Sequence, residues 1–142
     1  MKKLISIIML ISTLLLLFTG CGKINVEKSV EALKAKGLRE GAVYETDEDL
    51  EMANELFNAT IEYWEGDFTV KVKSYTSLMS DMDFGKTVEF ITFATKREAK
   101  AYTELYIEAR DEYSDTKIAQ SGAVVVITNL DLAVEALDVD FK

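Results

Sequence analysis

Apolar and polar positions recur along this chain in two periods, and the switches between them mark its elements. Val26, Val30, Leu33 and Leu38 follow Asn25 near helical spacing; Asn25 suits an N-cap, and Gly37 suits the left-handed residue that ends a helix. A second helix is expected behind Thr46-Asp47-Glu48-Asp49, where the hydroxyl can accept an orphan amide and the acids favour the positive helix end. Its apolar stripe is Leu50, Ala53, Leu56, Phe57, Ile61 and Trp64, with Gly66 as a natural stop.

Phe68, Val70 and Val72 then alternate with Thr69, Lys71 and Lys73, the period-two pattern of a half-buried strand. After a polar loop around Ser80 to Gly85, the run Val88 to Phe93 is apolar on both parities except Glu89 and Thr92, which predicts an interior strand. Thr95 and Glu98 form a second capping box ahead of Ala99, Tyr102, Leu105, Tyr106, Ala109 and Tyr113. Lys117 to Gln120, the tight pair Ser121-Gly122 and Ala123 to Thr128 read as a hairpin whose second strand is fully buried. Asn129 is placed to cap a last helix through Leu132, Ala133, Ala136 and Leu137.

The predicted order is α-α-β-β-α-β-β-α. It implies one α+β domain over residues 25–142, with a mostly antiparallel four-stranded sheet and helices packed on one face. A ferredoxin-like arrangement is the nearest familiar layout. Helix-strand-strand occurs twice, and sliding Thr46 onto Thr95 aligns Asp49 with Glu98 and Leu56 with Leu105; a common supersecondary unit is enough to explain this.

The first residues have a different pattern. Met1-Lys2-Lys3 precede an apolar run from Leu4 to Phe18, broken only by Ser6, Ser12 and Thr13, and the small residues Thr19 and Gly20 follow. This is the layout of a secretory signal. The run falls slightly short of the roughly 20 apolar residues of a stable membrane span. Leu17-Phe18-Thr19-Gly20-Cys21 resembles the lipobox of bacterial lipoproteins, with Phe18 where that family usually has leucine. The resemblance implies that residues 1–20 are a cleaved signal peptide and that Cys21 carries the diacyl lipid, with palmitate-type chains. It implies further that the mature protein is anchored in the cell membrane on its extracytoplasmic face. Two or more acyl chains make such an anchor stable, where one is marginal. Residues 25–142 have only a general likeness to small lipoproteins and carry no more specific signature.

Composition narrows what the exported part can do. Cleavage leaves 122 residues, enough for one core. Cys21 is the only cysteine, so lipidation leaves no disulfide and no thiolate metal site. The net charge of −9 becomes −11 without Lys2 and Lys3, with +3 over residues 22–39 and −14 over residues 40–142. Such a body repels phosphates, which excludes nucleic acid as a partner. Lys23, Lys28, Lys34, Lys36 and Arg39 directly follow the cysteine, where they can face anionic headgroups or simply form a solvated helix face. Residues 21–24 form a tether reaching about 13 Å, which keeps the domain close to the bilayer.

The chain has no histidine, which removes the commonest general base, the usual metal ligand and every Ser-His or Cys-His pair. An acidic-residue hydrolase is the third-ranked reading, because a pair of carboxylates at suitable distance arises easily among 25 acids. Asp81 and Asp83 beside Gly85 resemble a calcium loop but lack its later oxygen donors, so a polar loop accounts for them. The acids Glu45, Asp47, Glu48, Asp49 and Glu51 are accounted for by a helix N-terminus. Tyr63, Trp64, Tyr75, Tyr102, Tyr106 and Tyr113 could stack on carbohydrate, but helical spacing assigns Tyr102 and Tyr106 to packing first. No catalytic, cofactor or metal residues are therefore expected. The expected function is a non-enzymatic, membrane-anchored envelope protein that binds another protein or packs into an assembly. The alternative is a small-ligand or ion-binding module.

Overall fold

The computed structural model describes residues 23–142 apart from Tyr113. In chain order the elements are α1 (Val26–Ala35), β1 (Leu38–Tyr44), α2 (Asp47–Tyr63), β2 (Val72–Ser80), β3 (Thr87–Phe93), α3 (Lys96–Ala109), β4 (Lys117–Ser121), β5 (Val124–Thr128) and α4 (Asp131–Ala136). The domain is α+β, but its antiparallel sheet has five strands in the order β1-β2-β3-β5-β4, not four. β3 is interior, as its double-sided apolar pattern requires.

The additional strand is β1. Leu38, assigned by periodicity to the first helix, instead begins it, because α1 ends at Ala35 and Gly37 takes φ +97°. Arg39-Glu40-Gly41-Ala42 shows no alternation, since the register shifts between Glu40 and Val43 and the strand lies at an edge of the sheet. Gly41 is required there: a Cβ would stand 2.6 Å from Ser77 Oγ, the oxygen that accepts from Ala42 N at 2.8 Å.

The helices cover both faces rather than one. Along β3, Ile91 and Phe93 belong to a core with Ile61 of α2 and Ala99 and Tyr102 of α3, whereas Val88 and Phe90 face Leu33 of α1 and Ala133 of α4. With five strands and helices on both faces, this is not a ferredoxin-like arrangement. The two cores explain why β3 and β5 carry apolar residues on both parities.

Both N-caps form. Thr46 Oγ1 accepts from Asp49 N at 3.3 Å and Thr95 Oγ1 from Glu98 N at 3.1 Å, and each hydroxyl donates to the carboxylate of its partner. α2 stops differently from the expectation for Gly66. Glu65 adopts the left-handed conformation at φ 62°, while Gly66 serves close packing: a Cβ there would lie 2.7 Å from Ile61 Cγ2 and 2.8 Å from Leu105 Cδ2. Asn129 does not cap the last helix either. That position falls to Leu130, whose amide is met by Thr128 Oγ1 at 3.0 Å.

The alternating segment before β2 is extended but only its last apolar residue, Val72, lies within the strand. Its outward backbone groups are paired by a helix. Asn58 of α2 accepts from Val70 N and donates to Val70 O, and Asn54 does the same for Val72. On the other edge Lys71 N donates to Glu98 Oε1, and Ala94 N donates to Lys71 O.

Candidate interaction surfaces

The two ends of the sheet are built differently. At one end Ile24 N donates to Ser121 Oγ at 3.1 Å, which fixes the start of the described chain beside the turn between β4 and β5. Cys21 itself lies outside the described residues, as does Tyr113. The turn between β2 and β3 is at the opposite end, because Thr92 pairs with Val124 and Val88 with Thr128. The seven residues of β3, at about 3.3 Å each, separate the ends by roughly 20 Å.

At that far end Met82 is 92% and Phe84 108% exposed. The exposure is enforced by the backbone. Ser80 Oγ accepts from Met82 N and Asp83 N, Lys86 N donates to Asp83 O, and Ser80 N donates to Lys86 O. Asn129 completes the frame by donating to Gly85 O at 3.1 Å and accepting from Thr87 N at 2.8 Å. Asn129 is thus used to hold a turn distant in sequence, a role that its position before α4 conceals. A fixed turn presenting two apolar side chains fits contact with a partner better than a loop that collapses onto its own domain.

The remaining sequence candidates separate in space. Asp81 pairs with Arg39, which ties the acid of the calcium-like loop to β1 and places Arg39 at the end remote from Ile24. Lys34 pairs with Glu40 at 3.3 Å, so the basic segment of residues 23–39 is not one surface: only Lys23 and Lys28 stand near the beginning of α1. The acids from Glu45 to Glu51 occupy the N-terminus of α2. Among the described residues, no group of three or more His, Cys, Asp or Glu side chains is placed to hold a metal ion. Trp64, Tyr102 and Tyr106 pack together, with Tyr102 also against Phe57 and Phe93, while Tyr63 stands apart and exposed.

One titratable group on the packed face escaped the sequence reading. Glu89 is half-buried on interior β3, opposite Ser77 and Ile127 and on the same strand face as Ile91. Burial pushes its carboxyl pKa up, and the hydrogen bond with Tyr75 offsets part of that shift. The phenols of Tyr75, Tyr102 and Tyr106 are pushed up in turn, by burial first and then, among other causes, by the negative charge of Glu89. The shift of Glu89 thus arises from its burial and from the Tyr75 phenol. The signal available in the sequence was the single acid within a strand that is apolar on both parities.

Among the described residues no helix is long and apolar enough to cross a membrane. Comparison with protein-family models, curated proteins and solved structures found no match to this chain.

Proposed function

We propose that this chain is a lipid-anchored protein of a bacterial cell envelope, held through Cys21 at the extracytoplasmic face of the membrane. Its α+β domain is a non-enzymatic module that binds another protein. The observation that supports this is the opposition of its two ends. Cys21 is three residues before Ile24, so the lipid attaches within about 11 Å of the Ser121 end of the sheet. The framed Met82 and Phe84 turn is at the other end; with Cys21 anchored, that end is the one a neighbouring envelope protein can reach. Lipidation rests on the lipobox-like residues Leu17 to Cys21.

The test is site-specific photo-cross-linking in intact bacteria, with the cross-linker placed at Phe84 and, as a control, at Tyr63, which is 84% exposed on α2. A discrete adduct in the membrane fraction from position 84 and not from position 63 is the expected result. No adduct, or the same adducts from both positions, overturns the binding role. Intact mass of the membrane-fraction protein checks the anchor separately, and an unmodified thiol on Cys21 overturns that part.

A further inference from the structure

A groove of about 360 Å³ runs along α1 at the Ile24 end of the domain. Ile24 and Ala32 form one wall and Leu137 and Val139, beyond α4, form the other. The groove exists because α1 turns Leu33 and Ser29 into the domain, while the small side chain of Ala32 leaves the space towards Leu137 and Val139 unfilled. Its polar rim includes Lys23 and Lys28, neither of which is ion-paired among the described residues, together with Glu31 and Asp138.

We infer that this groove seats one of the acyl chains carried on Cys21. This rests on the lipidation reading above and adds a site on the domain for the lipid itself. The occupant follows from where the chain leads. Lys23 lines the groove, and Cys21 is two residues from it, about 7 Å at most along the backbone. From Asn25 to Ala32 the groove follows α1 for about 10 Å, long enough for part of an extended hydrocarbon chain. At the membrane the seated part exchanges bilayer hydrocarbon for the groove, so the gain is the groove's own apolar lining removed from water. Lys23 and Lys28 suit the ester carbonyl oxygens of a diacylglyceryl group, since an ammonium donates and those oxygens accept. One seated chain fixes the orientation of α1 at the membrane and leaves a diacylated Cys21 with one inserted chain, a marginal and reversible hold on the bilayer.

The experiment supplies the chain chemically, so its result does not depend on processing in the cell. The mature chain from Cys21 is a suitable unit because both core clusters lie entirely within residues 24–141. Its thiol is alkylated with N-hexadecylmaleimide or, for comparison, N-ethylmaleimide, and amide hydrogen exchange is followed in dilute solution. The hexadecyl form is expected to exchange at least fivefold more slowly over residues 25–32 and 137–139, independently of protein concentration. Ala32→Trp, which fills the groove, and Val139→Glu, which makes its wall polar, are expected to abolish the difference; melting curves establish which variants are folded. Unchanged exchange, protection that persists in a folded groove variant, or protection that grows with protein concentration overturns the assignment. Equal protection of the ethyl form by equimolar free palmitate would overturn the tethered occupant in favour of lipid taken from the bilayer. An unmodified thiol in the cellular protein would instead sink the anchor reading.

Discussion

Asn58 grips Val70 by both backbone groups: its Oδ1 accepts from Val70 N at 2.8 Å and its Nδ2 donates to Val70 O at 3.0 Å. A helix side chain thereby takes the place of a neighbouring strand, and Asn54 repeats the arrangement one turn earlier on Val72. Val70 is buried, so its amide has no ready access to water once Asn58 is gone. Asn58→Ala is therefore expected to cost about 1–3 kcal/mol, the usual penalty for stranding a buried polar group. Asn58→Asp, which keeps the acceptor but turns a carboxylate oxygen onto the carbonyls of Asn54 and Val70, should be at least as costly at neutral pH. Urea titration followed by the single tryptophan checks both values.

Glu65 and Gly66 are neighbours whose substitution should have opposite signs. Glu65 adopts φ 62° with a Cβ in place, a conformation that costs an L-residue roughly 1–2 kcal/mol, so Glu65→Gly is expected to stabilise by up to about 1 kcal/mol. Gly66→Ala drives a methyl into Ile61 and Leu105 and is expected to destabilise by about 1–3 kcal/mol. Thermal melting of the two variants side by side decides the matter; the same sign for both would refute this account of the α2 terminus.

Glu89 gives the domain a pH dependence of predictable sign. Its folded pKa lies above its unfolded value because burial disfavours the charged carboxylate. Folding thus favours the neutral form relative to the unfolded chain, so this contribution is fully present below the unfolded pKa, near 4.3, and is lost as pH rises through the folded value. Glu89→Gln, neutral at every pH, is expected to remove that component and to be the more stable form at neutral pH. Denaturation at a series of pH values from acid to neutral measures the difference, and parallel curves would contradict it.

Asn129 is the strut of the exposed turn. Removing its side chain in Asn129→Ala loses the bonds to Thr87 N and Gly85 O. The expected cost is about 1–3 kcal/mol, with faster amide exchange confined to residues 81–87. If exchange there is unchanged, the turn is held by Ser80 and its own backbone bonds and Asn129 is dispensable.

What the sequence determined by itself is whatever short-range physics fixes. The helices behind Thr46 and Thr95 were legible because capping and 3.6-residue periodicity act within a few residues, and both caps form as expected. β3 and β5 were legible because apolar residues on both parities announce a buried strand, and β4 because the turn residues around Gly122 join it to β5 as a hairpin. The α+β class followed from their order.

The tertiary structure decided the rest. β1 was hidden because a bulged edge strand has no steady alternation, and its identity depends on pairing with β2, which is remote in sequence. Coverage of both faces depended on where α1 and α4 fold back, which no local signal specifies. Asn54, Asn58 and Asn129 read locally as ordinary helix or cap residues, yet each spends its amide on backbone far along the chain. The Met82 and Phe84 turn, the groove beside α1 and half-buried Glu89 share this origin: periodicity tells which residues are apolar or charged, but only the assembled sheet determines which of them remain uncovered.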